Sequence, residues 1–197
     1  LQLQCGNLFL NLKDPQVMGI LNLTPDSFSD GGRYQRLDAA LFQVEKMLQD
    51  GASIIDVGGE STRPDSKSIS SAEELDRIMP TLEAILQRFQ TVVSVDTQKP
   101  EVMREAIRLG VQMINDVNAL QAEGALECIQ SSNVAVCVMH KKGEPVTMQE
   151  KPQYIDVVSE VKQFLQERIT SLVAANVDLN RIIVDPGFGF GKTLAHN

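Results

Sequence analysis

Short runs of apolar residues, each closed by a polar one, alternate along the chain with longer stretches in which apolar residues recur every three or four positions. The runs are VMGILNL (17–23), ASIIDVGG (52–59), TVVSVDT (91–97), VQMINDVN (111–118), AVCVMH (135–140) and RIIVDPG (181–187). Each has the length of a strand, and each is apolar on both faces, a pattern found where a strand is covered on both sides. The stretches between them predict helices at about 38–50, 72–89, 99–109, 123–132 and 154–176; in the first, Leu41, Val44, Met47 and Leu48 share one face. Ser70 with Glu73 predicts a capping box ahead of the second helix, Pro100 suits the first turn of the third, and Pro80 predicts a kink in the second. Buried strands separated by helices predict a parallel α/β sheet with right-handed crossovers, the arrangement from which a TIM (β/α)8-type barrel is built.

The strand ends carry the next inference. Asn22, Asp56, Asp96, Asn115 with Asp116, His140 and Asp185 close the six runs with residues that a buried strand avoids. Singly, each reads equally well as a turn residue capping the next helix. In a βα barrel, however, all these ends gather on one face, the face that carries the chemistry. Together they supply mostly acceptors and amides, which suits a flat, nitrogen-rich ligand better than an anion. Two long polar segments, TPDSFSDGGRYQRL and ESTRPDSKSISS, follow the first and second strands on that same face, where such segments complete or cover substrate sites.

Composition narrows the picture. With 197 residues, 43% apolar and 22% charged, the chain holds enough apolar material for one sizeable core. A net charge of −8 and the absence of any Lys/Arg-rich block exclude a general nucleic-acid binder. Cys5, Cys128 and Cys137 are odd in number and lack CxxC spacing, so reduced thiols and a cytoplasmic setting are expected. No apolar run approaches the length of a membrane span, and no membrane partner is expected.

The stretch VDPGFGFGKT invites a phosphate-binding reading and fails it on spacing. A P-loop needs a glycine five positions before the glycine of its GK[ST] ending, and counting back from Gly191 reaches Pro186, which has no N–H. Gly187, Gly189 and Gly191 alternate strictly, which does not fit the dinucleotide fingerprint either.

Taken in order, MGILNLTPDSFSDGG, IIDVGGESTRP, VSVDTQKPEV, MINDV and VDPGFGFGK closely resemble the dihydropteroate synthases of the folate pathway, from about Val17 to Asn197. MHKKGEPVTMQ resembles the family's segment after the fifth strand, although Lys141 and Lys142 stand where a more apolar or amide pair is expected. The resemblance implies condensation of 6-hydroxymethyl-7,8-dihydropterin pyrophosphate with para-aminobenzoate to give 7,8-dihydropteroate and pyrophosphate. It implies that Asp96, Asn115, Met139 and Asp185 hold the pterin, with Asp96 and Asp185 catalytic through stabilisation of positive charge on the ring and methylene. It further implies that Asn22 coordinates Mg2+, that Phe28, Thr62, Arg63, Pro64 and Phe190 close around para-aminobenzoate, and that the protein is a homodimer. Asp56 is left between two roles, bonding in the pocket or orienting nearby amides, and His140 reads as a satisfied core histidine.

A closed barrel of this type has eight strands, and six are legible here. The resemblance therefore implies a single pterin-binding barrel domain over 1–197 that lacks its last βα units, among them a seventh strand ending in lysine and serine and an eighth ending in arginine and histidine. Such a chain alone is expected to show no turnover. Two alternatives stand beside the synthase: a non-catalytic pterin-binding fragment, and a related pterin-binding methyltransferase domain, which ESTRP and TPDSFSDGG disfavour.

Overall fold

The computed structural model describes residues 1–24, 33–60, 68–143 and 152–197, the side chains of 33 and 34 excepted. A two-stranded antiparallel hairpin comes first, β1 (Gln2–Cys5) and β2 (Leu8–Asn11). It is absent from the sequence expectation because its strands are only four residues long and β2 is largely exposed. Six parallel strands follow in one sheet whose spatial order is the chain order: β3 (Val17–Asn22), β4 (Ala52–Gly58), β5 (Val92–Asp96), β6 (Met113–Asp116), β7 (Ala135–Met139) and β8 (Ile182–Asp185). Five helices alternate with them: α1 (Arg33–Gln49), α2 (Ser71–Arg88), α3 (Pro100–Leu109), α4 (Ala125–Gln130) and α5 (Val157–Ala174). The predicted elements are all present, with α1 starting five residues earlier than expected from its apolar spacing and α5 shorter at both ends.

Local chemistry accounts for the helix ends. The Ser70 side chain accepts from the Glu73 N–H at 3.2 Å, as the capping pattern predicts, and Asp156 does the same for Val158 at the start of α5. Pro100 occupies the first turn of α3, where a missing N–H costs nothing, and Gly110 ends that helix in the left-handed conformation. Pro80 lies inside α2, which runs without interruption from Ser71 to Arg88.

The sheet divides the apolar residues into two layers. Leu21, Ile55, Val57, Val93, Val95, Ile114, Val136 and Val138 face the helices and form the larger core with Val44, Ile78, Leu82, Met103 and Ile129. The residues between them, Ile54, Val92, Met113, Ala135 and Cys137, face the other way and pack on Leu3 and Cys5 of the hairpin. The hairpin therefore closes the bottom of the inner face, so only the upper part of that face is open to a ligand.

At the top, a cation bridges α2, α3 and the end of β4. Lys99 Nζ donates to Glu60 Oε2 at 2.6 Å and to Glu74 Oε2, with side chains 15%, 13% and 1% exposed. Glu60 Oε1 also accepts from the Ile69 N–H at 3.0 Å, and Arg77 Nη1 donates to the Gly59 carbonyl at 2.9 Å. Burial raises the Glu60 carboxyl, but the hydrogen bonds from Lys99, Ser68 and the Ile69 amide outweigh it and hold the group below its ordinary value. Removing the cation while leaving Glu74 buried should be expensive. Lys99→Met is expected to lower stability by about 3–5 kcal/mol, and adding Glu74→Gln should restore much of it, both read as urea midpoints. A wild-type midpoint for Lys99→Met alone would show that the bridge carries no weight.

Candidate active site

Register brings the strand-end residues into rows. Asn22, Gly58, Asp96 and Asn115 are successive partners across β3, β4, β5 and β6. One level below, Asp56 partners Ser94, and at the upper end of the sheet Met139 partners Asp185. Side chains on a strand alternate between faces, so Asp56, Ser94, Asp96, Asn115, Met139 and Asp185 share the inner face with Met113 and Cys137. Each strand thus reads apolar at the bottom and polar at the top of that face, for example Val92, Ser94, Asp96.

Asp56 is 3% exposed and accepts from Asn115 Nδ2 at 3.0 Å through Oδ2. The bond lies within the inner face, where it orients the side-chain amide of Asn115. One N–H of the Asn115 amide is thereby engaged, which leaves its second N–H and its carbonyl oxygen to offer a ligand. Asp56 Oδ1 and Ser94 Oγ are buried without a hydrogen-bond partner among the described residues. Burial raises the Asp56 carboxyl, partly offset by Ser94 and Asn115 nearby. Asp96 lies well above the ordinary carboxyl range because it is desolvated and surrounded by Asp56, Asp116, Glu74 and Glu60.

Asp116 does not belong to this group. It follows Asn115 on the strand, so it points to the opposite face, where it is fully buried and accepts from the Asn118 and Leu120 N–H groups at 2.7 and 2.8 Å. The carboxylate braces a turn in which Ala119 and Leu120 both have positive φ. Burial pushes it up to about 6 despite those bonds. His140 likewise serves the interior: it is 5% exposed, its ring meets Phe164 edge-on at 5.1 Å, and burial with Lys192 beside it lowers its pKa to about 4.

Met139 is buried at the end of β7. Asp185 Oδ1 accepts from the Gly187 N–H at 2.7 Å, which fixes the carboxylate while leaving lone pairs for a ligand. Phe190 lies half-buried in the turn that follows, its N–H bonded to the Gly187 carbonyl at 3.1 Å. Asn22 ends β3, and its Oδ1 lies beside Gly58 together with the Asp96 carboxylate: a Cβ on Gly58 would sit 3.5 Å from Asn22 Oδ1 and 3.7 Å from Asp96 Oδ2. Phe28, Thr62, Arg63 and Pro64 lie outside the described residues. Ser94 was missed by sequence reading, although it stands two positions before Asp96 and so had to share its face.

Comparison with known proteins decides the family. A model of pterin binding enzymes matches residues 18–197. A dihydropteroate synthase from Haemophilus influenzae is 51% identical over 197 residues, covering 100% of this chain and 72% of the relative. This chain belongs to the dihydropteroate synthase family. The structure of a Yersinia pestis dihydropteroate synthase in a sulfonamide drug complex superposes with a TM-score of 0.93 at 49% identity, covering 100% of this chain and 72% of that one. A Xanthomonas albilineans dihydropteroate synthase solved with 4-aminobenzoic acid gives 0.91 at 45% identity, covering 100% and 70%. Dihydropteroate synthases are transferases that join a dihydropterin to para-aminobenzoate, and the six parallel strands seen here are those of their TIM-barrel fold. No helix among the described residues is long and apolar enough to cross a membrane.

The raised carboxyls of this synthase inner face have a thermodynamic consequence. A carboxyl whose folded pKa lies above its unfolded value favours the folded state at low pH and loses that contribution as pH rises. For Asp96 the loss begins near its ordinary value of 3.8 and extends upward. His140 acts in the opposite sense: with a folded pKa of about 4 against 6.5, it favours folding as pH rises through that window. A difference between variant and wild type cancels the histidine. Asp96→Asn is therefore expected to gain stability relative to wild type as pH rises above about 4, read as urea unfolding midpoints. A difference that does not change with pH would contradict the raised carboxyl.

Proposed function

We propose that the upper inner face holds the dihydropterin ring by its donor edge, with Asp185 accepting from the ring N–H and amino group, and Asp96 and the Asn115 carbonyl oxygen taking the remaining ring donors. The single observation that carries this reading is the gathering of Asp96, Asn115 and Asp185 on the inner face at the strand ends, with the Asn115 amide oriented by Asp56. Two cations among the described residues are engaged by internal acceptors: Lys99 by Glu60 and Glu74, and Lys192 by backbone carbonyls. An acceptor-rich, desolvated face suits a flat ring with several N–H groups and disfavours an anion. As pyrophosphate leaves, positive charge on the methylene and ring is stabilised by Asp96 and Asp185, fixed groups with little reorganisation to make. The amine of para-aminobenzoate then attacks the methylene, forming the C–N bond and losing a proton. Met139 packs against the ring face.

The donors around Gly58 fit Mg2+. Asn22 Oδ1 and the Asp96 carboxylate are hard oxygen ligands on an open position, and this ion accepts few protein ligands when a phosphate supplies others. Asn22 is the residue that would hold it, and the ion would supply charge neutralisation for a leaving pyrophosphate. Phe28, Thr62, Arg63, Pro64 and Phe190 are assigned to the para-aminobenzoate site, supported by the family's complex with 4-aminobenzoic acid. A homodimer is the expected assembly, on the strength of the family resemblance.

Two outcomes test this reading. Asp185→Asn removes an acceptor that serves two donors, and should weaken pterin binding by about 1–3 kcal/mol in calorimetry; unchanged affinity removes Asp185 from the site. If the second substrate's site is completed by closure over bound pyrophosphate, para-aminobenzoate should bind weakly alone and far more tightly with pyrophosphate, product pterin and Mg2+ present. Equal affinity in both conditions would argue for a preformed site.

A further inference from the structure

Lys192 ends the glycine-rich stretch that resembles a phosphate loop, yet it is 4% exposed and faces inward. Its Nζ lies 2.9 Å from the Gly187 carbonyl oxygen, 3.2 Å from that of Phe190, 3.3 Å from that of His140, and 2.9 Å from His140 Nδ1. The three carbonyls can only accept, so an ammonium is the group that satisfies them, and His140 Nδ1 must then be the bare, accepting nitrogen of a neutral ring. These acceptors come from two segments, the end of β7 and the turn after β8.

The two segments also touch backbone to backbone. Gly187 and Gly191 both have positive φ, and a Cβ on either would fall onto a carbonyl oxygen, that of His140 for the first and of Lys142 for the second. Tyr154 adds an outer tie, its hydroxyl donating to the Gly191 carbonyl at 2.9 Å. Asp185 stands at the root of the clamped turn and is held by its Gly187 N–H. The structure assigns Lys192 as a positioning residue: its ammonium fastens the turn after β8 to the end of β7 and so sets the aim of the Asp185 carboxylate, without binding phosphate itself. The inference rests on the reading of Asp185 as a pterin ligand for its functional consequence, and on the contacts of Lys192 for the clamp.

The test has a wild-type arm and a variant arm. In nitrogen-15 NMR of the full chain at pH 6, His140 should be neutral with Nδ1 unprotonated, and addition of inorganic pyrophosphate with Mg2+ should leave that signal in place. A pyrophosphate-induced shift of Nδ1 would mean that Lys192 leaves the clamp for the anion, and the proposal falls. In calorimetry with pterin as the probe, Lys192→Met should weaken binding at least tenfold at a temperature where far-UV circular dichroism shows the fold intact, and should move the His140 Nδ1 signal. Wild-type affinity in Lys192→Met would reduce the residue to a stability role and overturn the positioning claim. Asp185→Asn is the control: if it binds pterin as wild type does, the reading of Asp185 fails, whereas loss in Asp185→Asn with retention in Lys192→Met refutes the clamp alone. Should Lys192→Met not fold, the wild-type imidazole signal and its response to pyrophosphate still decide the clamp.

Discussion

Desolvated acceptors gathered at one end of a parallel sheet are the constraint on which the rest of this molecule turns. Parallel strands connected by helices must all end on the same side, so polar residues placed at strand ends are forced into company. Here the company is Asp96 with Asp56 on the inner face and Asp116 just behind it, and the pKa of each is raised. A fold can tolerate that arrangement only if some of the acidic groups are paired with backbone or amide donors and others are left for a ligand. Asp116 takes the first course with two turn amides, Asp56 half of it with Asn115, and Asp96 is left.

The cations follow the same logic. Lys99 and Lys192 follow strand ends on the carboxyl-terminal side of the sheet, and each is engaged by internal acceptors. Lys99 is matched to carboxylates and ties the end of β4 to α2. Lys192 is matched to carbonyls, partners that hold an ammonium in place without cancelling its charge, and Asp185 supplies a nearby negative group that favours the charged form while burial opposes it. The two lysines therefore shape the rim, and the inner face stays rich in acceptors.

Much of the fold could be read from periodicity, because strands buried on both faces and helices with one apolar stripe give different repeats. The hairpin of β1 and β2 could not, since four residues are too few to show a period and only Leu3 and Cys5 are deeply buried. In the candidate site, Asn22, Asp56, Asp96, Asn115 and Asp185 were legible as strand ends, whereas Met139 came only through the family resemblance. What the pattern does not reveal is parity. A strand apolar on both faces carries no mark of which side is inner, so Asn115 and Asp116 looked alike until register placed one inward and the other under the helices. The role of Lys192 was hidden for a different reason. Its partners are carbonyl oxygens and a histidine 52 positions away, and a carbonyl has no letter in the sequence.

The same carboxyls that burden the empty protein prepare it for its ligand. A desolvated Asp96 beside Asp56 is costly when ionised, which raises its carboxyl well above the ordinary range. On the proposed reading, a ring that brings N–H donors to Asp96 would stabilise the ionised carboxylate that burial and the neighbouring acids disfavour. Asp56 Oδ1 and Ser94 Oγ, unpartnered one level below, extend this unmet demand deeper into the face. On the proposed reading, the carboxylates are in place when the leaving group departs and the ring becomes positive, and need little reorganisation. Stability is thus sacrificed at the strand ends, and the larger apolar core between sheet and helices provides the margin that tolerates it.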